Sequence, residues 1–182
     1  LPFLAPSFYG LDFAEVPMLV GTFALGPVAG IVMQIVKILI KLILKPTSTG
    51  FVGEFANVVM SCALILPAGF IYRFKKSKNG ALAGMAVGTV LMAVAGVVMN
   101  ALVMIPFYSN FMPIETIIKA GEAVNPAVSS VWTLAIFCVG PFNLVKGTLT
   151  SVITAVIYKR ISVLIHGASH GTSGSYGVKK AV

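Results

Sequence analysis

Two residues in the stretch Val139 to Thr148, reading VGPFNLVKGT, have side chains able to hold a polar ligand. Asn143 is a donor and an acceptor at once, and Lys146 is a cation with three donors. They stand three residues apart, so on a helix they share one face. Their neighbours are apolar, and an ionisable group in such surroundings is tolerated where it faces a bundle interior or a polar cavity. The pair therefore reads as a site, with a lysine snorkelling from a helix kinked at Pro141 as the plainer alternative. Glu54 and Asn57 repeat the spacing in GFVGEFANVV. There the plainer alternative is a carboxylate favoured by the dipole at a helix N-terminus. Asn100 and Asn110 flank the end of a third apolar run, where Asn100 has the alternative of bonding across helices.

Other chemistries find less support. Cys62 and Cys138 lie in apolar runs without metal-ligand spacing and read as small buried hydrophobes. His166 and His170 have the spacing of a metal pair on a helix, but the glycines around them and the lack of an acidic partner argue against a metal. No HExxH, GxSxG or Asp-rich motif occurs, and GPFNLVKGT places Lys before Gly where a phosphate loop needs Gly before Lys. The chain carries no signature of an enzyme, an ATPase or an enzyme cofactor.

The elements that must position these residues are membrane helices. The chain has 182 residues, 58% of them hydrophobic and 10% charged, against roughly 25% charged in a soluble domain. The uncharged runs Val16 to Val36, Phe55 to Tyr72, Ala81 to Phe107 and Ala123 to Val145 each approach or exceed the ~20 residues that span a bilayer as helix. A β-barrel would need alternating segments of about ten residues instead. The fold class is an all-α integral membrane protein. One domain covers residues 1–166, followed by a flexible Gly- and Ser-rich cytoplasmic tail, 167–182.

Along the chain, Leu1 to Glu15 mixes prolines, aromatics and acids, and suits a structured loop at the membrane surface. Gly26-Pro27 divides the next apolar stretch into Val16 to Leu25 and Val28 to Leu44, each short for a span, so tilt or a hairpin with a tight Gly-Pro turn is implied. Further helices are expected from Val52 to Phe74, from Gly80 to Phe107 and within Ala127 to Ile165. Gly84, Gly88 and Gly96 lie on closely related faces, consistent with tight helix contact. The segment Tyr108 to Pro126 is a loop with an amphipathic turn of helix.

The net charge of +8 is carried at the ends of apolar runs, which points to topology rather than nucleic acid. Arg73 to Lys78 and Lys159-Arg160 mark the cytoplasmic side. Leu1 to Glu15, Lys45 to Gly53 and Tyr108 to Pro126 are then outside, and every acid (Asp12, Glu15, Glu54, Glu115, Glu122) lies in or beside an external loop. Lys37, Lys41 and Lys45 are exceptions that snorkel towards the outer surface. Counting from Lys159 at ~1.5 Å per residue puts Lys146 about 20 Å from the cytoplasmic end, in the outer half of a ~30 Å hydrocarbon layer. The amides, Glu54 and Lys146 then share one level on three helices, beneath the aromatic loop Phe3 to Phe13. That resembles a pocket open to the outside, and several asparagines suit a neutral heterocycle with mixed edges better than a simple ion.

The segments LDFAEVPMLVGTFALGPVAGIVMQIVKILIKLIL, VGEFANVV, ALVMIPFYSN and VGPFNLVKG resemble the substrate-binding S component of energy-coupling factor (ECF) vitamin transporters, in its riboflavin-binding branch. The likeness covers Leu4 to Ile165, and DFAEVP, VGEFAN and GPFNLVKG are its most specific pieces. It implies a bundle of six transmembrane helices with an external N-terminal loop. The family's first helix, with its small-residue docking motif, would end just before LPFLAP and is mostly missing, which leaves five spans in view. By motif, the implied ligand contacts are Phe8, Leu11 and Phe13 of the loop, Glu54 and Asn57, Asn110, and Asn143 with Lys146. Riboflavin is implied as transported ligand and not as cofactor. The implied partners are a transmembrane coupling subunit and two ATP-binding subunits, the setting is the lipid bilayer of a bacterial plasma membrane, and no nucleic acid is involved. The alternatives are an S component for another vitamin, a membrane-integral enzyme acting on a lipid or isoprenoid with Glu54 and Lys146 as acid and base, and a self-contained channel or carrier.

Overall fold

A computed structural model describes residues 13–45, 47 and 50–167, with the last helix described as backbone alone beyond Tyr158. Phe8, Leu11, most of the N-terminal loop and the tail after Gly167 lie outside the described residues.

Two short helices open the chain, α1 (Glu15–Leu25) and α2 (Pro27–Leu44), folded against each other as an antiparallel hairpin. Gly26 makes the turn at φ 103°, a conformation costly for any residue with a Cβ. Pro27 follows at the first position of α2, where its missing N–H costs no helical hydrogen bond. The hairpin is close because Gly30 packs directly on Thr22 of α1. The Gly-Pro turn inferred from sequence is what the structure has.

Helix α3 (Val52–Phe74) returns beside α2 and ends in the basic run from Arg73. Its start is tied down by Thr47, whose Oγ1 accepts from Phe51 N at 3.1 Å and donates to Glu54 Oε2 at 3.0 Å. Ser77 then caps α4 (Lys78–Met99), accepting from Gly80 N at 3.1 Å. Helices α3 and α4 approach backbone to backbone: a methyl group on Gly84 would lie 2.8 Å from Ala68 O. Leu19, Leu64, Ile65, Met85 and Met92 fill the core between them and are fully buried. At the basic end Phe23, Tyr72 and Tyr158 pack as a triad with centroids 4.8 to 5.9 Å apart. The Tyr72 and Tyr158 hydroxyls are hydrogen-bonded to each other.

Beyond Met99 the helix widens into a π-helical turn, Asn100–Met104, and resumes as α5 (Ile105–Tyr108). Helix α6 (Ile114–Glu122) is amphipathic, with Ile117 and Gly121 turned onto Val128 and Leu134. A Ser130–Thr133 capping box starts α7 (Val131–Leu134), which passes through a second π-helical turn, Ala135–Val139, into α8 (Gly140–Gly167).

Among the described residues, four helical stretches are long and apolar enough to cross a membrane: Pro27–Leu44, Val52–Phe74, Lys78–Tyr108 and Val131–Tyr158. Their outward faces carry large apolar side chains such as Val28, Ile43, Val90, Ile136 and Val156, as lipid contact requires. Of the five spans expected, these four have the full length and α1 is shorter. With 11 residues, α1 extends about 16 Å, half the hydrocarbon thickness. It spans only half the layer because it begins at mid-depth, with Glu15 beside Ser61 of α3, and Gly26 then turns the chain back at the level of Gly69, near the basic end of α3.

Candidate functional site

Helices α3, α5 and α8 and the first π-helical turn enclose a cavity of about 160 Å³. Its apolar wall includes Met60, Met104 and Phe142, and its polar lining comprises Asn57, Asn100, Tyr108, Asn143 and Lys146. The first π-helical turn borders it, with Asn100 as its first residue, and Asn143 follows the second within a turn. Such turns interrupt the regular α-helical ladder and recur at functional sites. The two asparagines bond alike, Asn100 Nδ2 donating to Gly96 O at 2.8 Å and Asn143 Nδ2 to Val139 O at 2.9 Å. Each amide is thereby fixed by its own helix, four residues back. Gly96 makes the room, since a methyl group there would lie 2.6 Å from Asn143 Nδ2.

Lys146 is 5% exposed and its Nζ lies 2.9 Å from Glu15 Oε1. Glu15 has no exposed surface, accepts a second bond from Ser61 Oγ at 3.2 Å, and has Lys37 Nζ 3.9 Å away. This overturns the placing of Glu15 in a surface loop. It stands in the first turn of α1, inside the bundle, because a lysine at that depth requires a counter-charge. The snorkelling of Lys37 and Lys41 is corrected on the same ground. Lys37 turns inward to Glu15, and Lys41, although half exposed, pairs with Glu54 at 3.3 Å.

A polar seam joins these groups. On α3, Glu54, Asn57 and Ser61 follow one another at helical spacing, and on α2, Gln34, Lys37 and Lys41 do the same. Gln34 Nε2 donates to Asn57 Oδ1 at 3.1 Å, so what Asn57, a lining residue, has left to offer a ligand is its amide N–H donors. Asn143, its nitrogen engaged by Val139, offers its oxygen. The cavity therefore presents donors and acceptors side by side beneath an apolar wall, which is the chemistry of a planar ligand with a mixed polar edge.

Of the residues singled out in the sequence, the structure brings Asn57, Asn100, Asn143 and Lys146 together. Glu54 points to Lys41 and Thr47, while the adjacent Gly53 lines the cavity. Asn110 is exposed, its Nδ2 donating to Pro106 O and Phe107 O. Phe13 is 44% exposed and is absent from the cavity wall. Cys138 is buried and Cys62 half-buried. Glu54 and Lys146 hold different partners, so they do not form the acid and base of an enzyme. Sequence reading missed Glu15, Gln34, Lys37, Ser61 and Tyr108. For Glu15 and Lys37 a signal existed, an acid in DFAEVP and a lysine in an apolar helix, each needing the other.

Comparison with known proteins bears on the family and the fold. The model of the ECF transporter substrate-specific component matches residues 1–158. A riboflavin transporter RibU of Staphylococcus aureus is 30% identical over 89% of this chain and 79% of its own length. A riboflavin transporter FmnP of Bacillus subtilis is 26% identical over 86% and 78%. A solved S component of a bacterial ECF transporter superposes with a TM-score of 0.64 at 29% identity, covering 85% of this chain and 79% of that one. With an all-helical bundle, a polar cavity set in apolar walls and relatives that are transporters rather than enzymes, the chain belongs to the substrate-specific components of ECF transporters and is the membrane-embedded subunit that binds the transported substrate.

Proposed function

We propose that the transported substrate is riboflavin, captured from the outer side of a bacterial plasma membrane and handed to a separate transmembrane coupling subunit driven by two ATP-binding subunits. The observation that carries this reading is the convergence of Asn57, Asn143 and Lys146 on one cavity inside a lipid-embedded bundle. Donors and acceptors in that cavity match the alternating carbonyl and imide groups of an isoalloxazine edge, or the hydroxyls of the ribityl chain. Relatives named riboflavin transporters supply the ligand's identity.

The polar cavity, about 160 Å³, is smaller than the roughly 300–1,000 Å³ of a small-molecule site. Across Tyr108 lies an apolar cavity of about 290 Å³ lined by Ile105, Met112, Ile117 and Leu134. Tyr108 lines both, so a flavin with its polar edge on Asn143 and Lys146 has apolar space for its dimethylbenzene end once this ring turns. Asn110 and Phe13 belong to the entrance in this reading, and the family resemblance adds Phe8 and Leu11 to the ligand contacts.

Binding requires no ATP. The full chain purified in detergent should carry a flavin absorption band or quench riboflavin fluorescence on titration. A colourless protein that quenches nothing would remove riboflavin as the ligand.

A further inference from the structure

Glu15 does not line the cavity. Lys146 stands between them, with its Nζ on Glu15 Oε1 at 2.9 Å. The same oxygen carries Ser61 Oγ at 3.2 Å and has Lys37 Nζ at 3.9 Å, while Oε2 accepts nothing among the described residues. Among the described residues, the charged groups facing this carboxylate are therefore two lysines, Lys146 from α8 and Lys37 from α2, with the Ser61 hydroxyl from α3. One carboxylate is shared between two ammonium groups, and only one of these, Lys146, reaches the cavity.

We propose that Glu15 is a selectivity-determining positioning residue: by holding Lys146 as a neutralised pair in the cavity wall, it makes the site prefer an uncharged ligand to an otherwise identical anionic one. This rests on the riboflavin reading above. In a water-poor interior, charge acts over several ångströms, so an unneutralised Lys146 attracts an anion without direct contact. Lys37 tunes the effect, since whatever share of the Glu15 charge it draws is lost to Lys146. A counter-ion of purely structural importance would instead weaken every ligand alike.

The test uses the full chain in detergent, with flavin fluorescence quenching to obtain dissociation constants for riboflavin and for riboflavin 5′-phosphate. The wild type should favour riboflavin. In Glu15→Gln the preference should move towards the phosphate by roughly tenfold, the worth of one partly screened charge. In Lys37→Gln, where Glu15 is left wholly to Lys146, it should move the opposite way by a smaller factor. An unchanged ratio of the two constants in folded Glu15→Gln, with both affinities falling in parallel, overturns the inference. Where Glu15→Gln is not recovered folded, an unchanged ratio in Lys37→Gln does so. A wild type that quenches neither flavin fails at the riboflavin reading itself and takes this inference with it.

Discussion

Lys146 and Lys41 each hold a glutamate, one at the centre of the bundle and one at its edge. The central pair is 2.9 Å apart, with the lysine side chain 7% and the glutamate 0% exposed. The outer pair is 3.3 Å apart, with 49% and 8%. The chemistry is the same and the surroundings are not. Lys41 keeps its water and Glu54 has Thr47 as a second partner, so the outer pair fastens the start of α3 to α2 and its loss leaves both groups solvated or bonded. At the centre neither charge has water to fall back on: Lys146 depends on Glu15, and Glu15 on Lys146 with Ser61 and Lys37 beside it. Depth decides which pair is dispensable, and it also explains why the central one sits at the cavity, where a charge in low dielectric governs what the site accepts.

The largest effect should come from removing one member of the central pair. Glu15→Ala leaves Lys146 buried without a counter-charge, and the folded state should lose about 3–5 kcal/mol. The loss is read as earlier thermal unfolding in detergent and a lower yield of monodisperse protein. Replacing both residues by apolar ones, Glu15→Leu with Lys146→Met, should recover the part of that loss due to the stranded Lys146 while abolishing ligand binding, and the part due to Lys37 should remain. If Glu15→Ala unfolds no earlier than a change at Lys41, the contrast drawn from depth is wrong.

Next in size come changes that touch the cavity and leave both ion pairs alone. Asn143→Ala should weaken riboflavin by about 1–3 kcal/mol, since a buried ligand group loses its partner. Gly96→Ala approaches the same side chain from behind: the added methyl group would lie 2.6 Å from Asn143 Nδ2 and displaces it from the cavity wall. A smaller loss of affinity, about 1 kcal/mol, is expected there, with no change in the relation between the two ion pairs. Titration calorimetry or quenching measures both. Full affinity in Asn143→Ala would take that residue out of the site.

How much of this was legible in the sequence divides along physical lines. Helix positions follow from runs of apolar residues and from punctuation, so α3 was foreseen over Val52 to Phe74 and the Gly26-Pro27 turn at its actual place. Asn57, Asn143 and Lys146 stood out because polar groups are costly in such runs. The partner of Lys146 was not legible, because Glu15 lies 131 residues away and only tertiary packing joins them. From sequence, an acid at the end of an aromatic loop looks like a surface residue. The π-helical turns also escaped, since no local pattern separates them from α-helix, and they are what aim Asn100 and Asn143. Conversely, the expectation that all the polar groups share one pocket was too generous. Asn110 is retained by the carbonyls of Pro106 and Phe107, and Glu54 by α2, both through short-range contacts that outweigh the cavity.

The smallest effect, and the sharpest check on the contrast, is expected at Lys41. Lys41→Gln removes a partner that is half exposed, so the pair contributes about 0–1 kcal/mol, screened further by salt. Glu54 keeps its bond from Thr47 at 3.0 Å and the favourable end of the α3 dipole, so no charge is stranded. Thermal unfolding of Lys41→Gln should therefore track the wild type within about one kcal/mol, and the gap between the two proteins should close as ionic strength rises. In Glu15→Ala the deficit should persist at the same salt concentrations, because no ions reach the central pair to replace the lost charge. A salt-sensitive deficit at Glu15 would mean that water and ions enter the bundle core. The two pairs would then differ in distance alone.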